Sequence, residues 1–211
     1  MRRQLQLPPI YPITDKQMAR SRDHYSILKE LVRGGARIVQ IRDKHTPAEE
    51  LLGDLRRCVD FATNNTVTLI LNDRCDLALC SGVSGVHLGQ DDLPPEPARS
   101  LLGVKSIIGF STHSIPQVRK ASSMPVHYIG FGPVFRTSTK EDPSPVAGLT
   151  KLRRACRQSS VPVVAIGGIG LKQVRDVLGA GAASAAVVSA LMKSGNIARR
   201  MEDFLEAARE K

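Results

Sequence analysis

The sequence predicts an α/β fold, a single-domain (β/α)8 barrel of the TIM type over residues 1–211, with its active site at the C-terminal ends of the strands. Three observations predict it. Eight short apolar runs rich in Val and Ile recur at fairly even spacing. Most of them are continuous rather than alternating, as expected for strands buried on both faces. Segments with the periodicity of amphipathic helices separate them, and alternation of strand and helix implies a parallel sheet.

In chain order the runs are IYPIT (10–14), RIVQI (37–41), VTLIL (67–71), GVHLG (85–89), SIIGF (106–110), VHYIGF (126–131), VPVVAI (161–166) and a stretch from about 182 to 190. Helical periodicity marks 24–33, 48–62, 117–122, 150–158, 171–178 and 197–210. Pro47, Pro95 and Pro116 fall near helix starts, where the N–H that proline lacks would have no intrahelical partner anyway. Gly34 and Gly35, and again Gly179 and Gly181, stand before strands, as helix stops do. An open doubly wound sheet is the structural alternative. It carries a Gly-rich loop after its first strand, whereas here the first run ends in Thr14 and Asp15. The segment GPVFRTSTKEDPSPVAGL (132–149) is too polar and too rich in turn formers for a helix, and its length suits a functional loop over the active face.

Composition narrows the partners. The formal net charge is +10, but the basic residues are dispersed, meeting only in short pairs such as Arg56-Arg57 and Arg153-Arg154. Aromatics make up 4% of the chain and show no cluster on which bases could stack. The charge therefore reads as a solvated surface with phosphorylated small molecules as partners, and nucleic acid is not expected. No apolar stretch reaches the ~18 residues of a membrane span and no signal peptide is visible, so neither a membrane nor secretion is expected. Cys58, Cys75, Cys80 and Cys156 have no C-x-x-C spacing and are expected to be reduced, mostly buried thiols of a cytoplasmic protein. A homo-oligomer is left open.

The chemistry gathers where the runs end. Their C-terminal sides carry Thr14 and Asp15; Gln40, Arg42 and Lys44; Asn72 and Asp73; Gln90, Asp91 and Asp92; Ser111, Thr112 and His113; Gly167 and Gly168; and Ser189. In a barrel these ends converge on one face. Gln40, Arg42 and Lys44 alternate, so they share one side of an extended segment, and an amide, a guanidinium and an ammonium aimed together suit a polyphosphate. Asp73 and Asp92 follow the third and fourth runs, whose ends are neighbours. Two carboxylates there can hold Mg2+; they can also serve as an acid–base pair, or Asp73 can cap a helix from residue 74. Gly167, Gly168, Val188 and Ser189 close the seventh and eighth runs, where barrels often bind phosphate on backbone amides. Thr137, Ser138, Thr139 and Lys140 offer hydroxyls and a cation for anions. His113 lies on the active face without an evident partner; His87 sits inside a strand and is expected to pack; His45 and His127 have no pattern around them.

Eight segments in order, YPITD (11–15), VQIRDK (39–44), LNDRCDLAL (71–79), GVHLGQDDLP (85–94), IGFSTHS (108–114), YIGFGPVFRTSTK (128–140), VVAIGGI (163–169) and AVVSA (186–190), resemble the thiamin phosphate synthase family, collinear over about residues 10 to 205. The resemblance implies a (β/α)8 barrel and an Mg2+-dependent transferase that joins a pyrimidine diphosphate to a thiazole phosphate. It implies that Gln40, Arg42, Lys44 and Asn72 contact the pyrimidine diphosphate, with Ser111 and Lys140 also facing it. Asp73 and Asp92 would hold Mg2+. Thr137, Thr139, Gly168, Val188 and Ser189 would bind the thiazole phosphate, and Arg42, Lys44 and Lys140 would carry the catalytic charge. The sequence departs from the family pattern at Arg136, where Pro is usual, at Gln173, where Asn is common, and at Ala183, Ser184 and Ala185, where Asp-Gly-Val is usual. The rival branch of the superfamily, a thiazole tautomerase thought to use a His near the position of His113, has no need of the carboxylates and the Thr-Ser-Thr-Lys group kept here. A non-catalytic phosphate-binding barrel is the remaining alternative.

Overall fold

Each apolar run becomes a strand and each periodic segment a helix in a computed structural model, which describes residues 5–20, 22–137, 139 and 145–209. The order is β1 (Ile10–Pro12), α1 (His24–Arg33), β2 (Ile38–Ile41), α2 (Ala48–Asn64), β3 (Thr68–Asn72), α3 (Cys75–Ser81), β4 (Gly85–Leu88), α4 (Pro95–Leu102), β5 (Ile107–Thr112) and α5 (Ile115–Ser122). It continues with β6 (Tyr128–Phe131), α6 (Gly148–Gln158), β7 (Val163–Ala165), α7 (Leu171–Gly179), β8 (Ser184–Val187), the short α8 (Ser189–Met192) and α9 (Ile197–Arg209). From β2 to β8 every strand pairs in parallel with its neighbour in sequence, and β1 pairs with β8. A parallel bridge between Ile13 and Gln40, with the Thr14 amide donating to the Gln40 carbonyl at 2.8 Å, joins β1 to β2 and nearly closes the cylinder.

The two faces of the sheet bury different side chains. Outward residues such as Ile10, Val39, Ile41, Leu69, Leu71, Val86, Ile108, Ile129, Val163 and Val187 pack under the helices in the larger core. Inward residues Tyr11, Ile13, Ile38, Ile70, Tyr128, Val164 and Ala186 fill the barrel, with Leu5 and Leu7 packed against them. Burial on both faces is why the strands read as continuous apolar runs. A Cβ on Gly109 would run into the Tyr128 ring and the His87 imidazole, so that strand position must be glycine for the two rings to cross the barrel.

The helices stop and start for local reasons. α1 begins at Asp23, whose carboxylate accepts the Ser26 amide at 2.9 Å, and ends at Gly34. α5 starts two residues earlier than the periodicity predicts, at Ile115, because the Ser114 hydroxyl caps the helix and Pro116 fits the first turn. Asp73 does not cap a helix: Arg74 holds the position before α3 and no side chain caps it. Of the four cysteines only Cys58 and Cys75 are buried, Cys156 is half-buried and Cys80 is exposed, so the expectation of mostly buried thiols holds for half of them. Among the described residues no helix is long and apolar enough to cross a membrane.

Candidate active site

At the C-terminal mouth a cavity of about 140 Å3 opens between the strand ends. Gln40, Arg42, Asn72, Ser111, Thr137, Thr139, Gly168, Val188 and Ser189 all line it, as do Tyr11, His87, His113 and Tyr128. Nine of the expected site residues thus meet in one cavity. Lys44, Asp73 and Asp92 lie outside its lining and form a charged cluster of their own. Lys140 and Ser138 fall outside the described residues.

Parallel register builds the charged cluster. Asp73 follows the last residue of β3, and its amide donates to the His87 carbonyl of β4 at 2.9 Å. There the backbone takes a left-handed turn (φ 64°). Its carboxyl group meets the Lys44 ammonium at 3.6 Å and adjoins the Asp92 carboxyl. Asp92 in turn accepts the Gly89 amide at 2.6 Å. Burial and the Asp92 carboxyl push the Asp73 carboxyl up to about 6, which Lys44 only partly offsets. Two adjoining carboxylates with one ammonium are short of positive charge. Among the described residues no group of three or more His, Cys, Asp or Glu side chains is arranged to hold a metal. A pair of carboxylates is nevertheless the donor set that suits Mg2+, which takes one or two carboxylates and completes its shell with water and substrate phosphate.

Beyond β2, Arg42 lines the cavity and Lys44 turns to Asp73. The Arg42 guanidinium is steered by Asp15 at 3.0 Å, three residues beyond the end of β1. On the opposite rim, Gly167 and Gly168 both have left-handed φ (99° and 65°), and a Cβ on Gly168 would strike the Arg136 carbonyl and Phe135. The Phe135 amide donates to the Gly167 carbonyl at 3.0 Å, so this turn is tied to the loop after β6. On that loop the Thr137 and Thr139 hydroxyls lie 3.2 Å apart. The Gln173 carboxamide, where the family usually has Asn, accepts the Gly170 amide at 3.1 Å and steadies the start of α7. Among the other departures, Arg136 is exposed and Ser184 is buried.

The cavity floor is a polar network that the sequence did not reveal. Gln40 Nε2 donates to the Tyr11 hydroxyl at 3.2 Å, the Tyr11 and Tyr128 hydroxyls meet at 2.7 Å, and Tyr128 meets His87 Nδ1 at 3.1 Å. His87 Nε2 lies 2.9 Å from the Ser111 hydroxyl. His87 is therefore a cavity residue rather than core packing. Strand alternation could have signalled it, because Asn72 and His87 are register partners and both face inward. Burial pushes both tyrosine hydroxyls well above their usual value, so they stay neutral. His113 also has a partner after all: its Nδ1 lies 2.6 Å from the Gly132 carbonyl, which can only accept, so Nδ1 carries the proton.

The fold and the site define a (β/α)8-barrel enzyme whose charged and polar side chains gather at the strand ends. A family model described as thiamine monophosphate synthase matches residues 10–191. The chain is 44% identical over 193 residues to the thiamine-phosphate synthase of Persephonella marina, covering 92% of each chain. It is 41% identical to that of Koribacter versatilis over 96% of each. A solved structure of thiamine phosphate pyrophosphorylase from Pyrococcus furiosus superposes with a TM-score of 0.86 at 30% identity, over 95% of both chains. The chain belongs to the thiamine monophosphate synthase family, and it is an enzyme of the transferase type.

Proposed function

We propose that the enzyme transfers the 4-amino-2-methylpyrimidin-5-ylmethyl group from its diphosphate to the nitrogen of a thiazole phosphate, giving thiamin phosphate and diphosphate. The observation that carries the detailed reading is the cluster of Lys44, Asp73 and Asp92 beside a cavity that contains Arg42. Breaking a C–O bond to diphosphate requires that the charge of the leaving group be neutralised. Asp73 and Asp92 would hold Mg2+, which would supply that neutralisation when bound. Arg42 and Lys44 add fixed positive charge at the same rim, and Lys140 is assigned the same role from its place in the sequence. Gln40, Asn72 and Ser111 orient the pyrimidine diphosphate. Thr137, Thr139, Gly168, Val188 and Ser189 hold the thiazole phosphate so that its nitrogen faces the bond that breaks.

The thiazole nitrogen brings its own lone pair, so no strong general base is needed. Proximity and leaving-group stabilisation carry the rate. Two small phosphorylated substrates and cysteines that are free thiols support a cytoplasmic setting. The test is incubation with both substrates and Mg2+, followed by detection of thiamin phosphate and released diphosphate in equal amounts. Formation of neither product, with the protein folded, rejects the reading.

A further inference from the structure

His24 is fully buried, lies outside the cavity and takes no part in the reaction derived above. Its surroundings are nevertheless aimed at the site. The imidazole Nδ1 lies 2.8 Å from the Thr14 hydroxyl at the end of β1. Its Nε2 lies 3.0 Å from the carboxylate of Asp43. The Thr14 oxygen also accepts the backbone amide of Arg42 at 3.3 Å. The polarity follows from the groups. A carboxylate can only accept, so Nε2 carries the proton. Nδ1 shares a hydrogen bond with the Thr14 hydroxyl, whose oxygen also accepts from the Arg42 amide. The chain of bonds leaves residue 42 and returns to residue 43.

Alternation explains why Asp43 is available. It stands between the two cations of the rim, and its side chain points away from theirs. It is 95% buried by its 5% side-chain exposure, and it also accepts the His45 amide at 3.0 Å, the Thr46 amide at 2.9 Å and the Thr46 hydroxyl at 2.7 Å. The Lys16 ammonium is 3.8 Å away. The ring is anchored from the outer helices as well, because the His24 amide donates to the buried Asp54 of α2 at 2.9 Å.

We infer that the Thr14–His24–Asp43 ring is a positioning device that fixes the Arg42–Asp43 peptide and so aims Arg42 and Lys44 at the diphosphate; His24 is a positioning residue for the leaving-group half of the site. This rests on the proposed transferase reaction. The ring touches the backbone of one rim only, so its loss should be felt by one substrate. A role in general stability would alter both substrates alike.

The test compares His24→Phe, His24→Gln and the near-isosteric Thr14→Val. In His24→Phe and Thr14→Val the KM for the pyrimidine diphosphate and the dissociation constant of inorganic pyrophosphate with Mg2+ should each rise by about tenfold, within the range that small misplacements cause. The KM for the thiazole phosphate should stay within about twofold, as expected where the second half-site is untouched. His24→Gln keeps an amide donor for Asp43 and should recover most of the loss. Hydrogen exchange of the peptide spanning residues 40–47 should quicken in His24→Phe and Thr14→Val, with exchange at residues 70–76 unchanged. An equal rise of both KM values, or unchanged pyrophosphate binding in the folded variants, overturns the inference. The exchange measurement separates the two readings. If the wild-type chain makes no product, the transferase reading falls, and unchanged exchange in both variants overturns the ring independently.

Discussion

Around the barrel mouth, the rim of β2–β4 presents Arg42, Lys44, Asp73 and Asp92 as side chains, whereas the rim of β7–β8 presents Gly167 and Gly168 as backbone. The first rim is electrostatic. Its parts repel or attract over several ångströms, and an Asp73 carboxyl raised to about 6 records first its burial and then its place beside Asp92. The second rim is steric. Left-handed turns bring main chain to the cavity, where a single Cβ would collide with the neighbouring loop. The difference teaches that one half-site is vulnerable to a change of charge and the other to a change of shape.

The largest expected effect breaks the charged rim. Asp92→Ala should lower turnover by about 10²–10³-fold, the size typical for loss of a main electrostatic element, and abolish the response to Mg2+. Circular dichroism and thermal melting should show an intact barrel. Activity like the wild type would sink the metal assignment. On the other rim, Gly168→Ala should raise the KM for the thiazole phosphate by about tenfold and cost roughly 1–3 kcal/mol of stability, since alanine must hold a left-handed φ against the Arg136 carbonyl. An unchanged KM for the pyrimidine diphosphate would keep the two rims distinct; a parallel rise would merge them.

Behind the charged rim, burial tends to raise the Asp43 carboxyl, but the donors from His24, Thr46 and His45 outweigh it and hold the group well below its usual range. A depressed folded-state value means stability that is present above the unfolded value of about 3.9 and lost as the pH falls below it. Asp43→Asn should therefore melt lower than the wild type at pH 7, by about 1–3 kcal/mol, and the gap should narrow below about pH 4. A gap independent of pH would contradict the assignment. The smallest effect is expected at His113. Its Nδ1 proton is committed to the Gly132 carbonyl, and His113→Ala should cost less than about tenfold in turnover, far from the loss expected for a general base. If that variant lost all activity, the tautomerase alternative would regain its ground.

Much of this was legible in the sequence. The strand runs, the polar residues at their ends and nine cavity residues were all found where expected. What was not legible depends on contacts between distant segments. Asp73 had three readings from sequence. The helix-cap reading fails because α3 starts one residue later with no side-chain cap, and the carboxylate turns instead to Lys44 and Asp92. His87 looked like core because its neighbours in sequence are apolar. It faces the cavity because inter-strand register pairs it with Asn72 and Gly109 leaves room beside it. His24 showed no signal at all, since its partners Thr14 and Asp43 lie on other elements.

By itself the sequence determined the alternation of strand and helix, the single face on which the chemistry gathers and the kinds of group present there. Those follow from local periodicity and from strand polarity, which each segment carries alone. Only the tertiary structure decided which of those groups touch. Closure of β1 onto β2 and β8, and the parallel register across the barrel, determine whether a carboxylate faces a cation, another carboxylate or a buried imidazole.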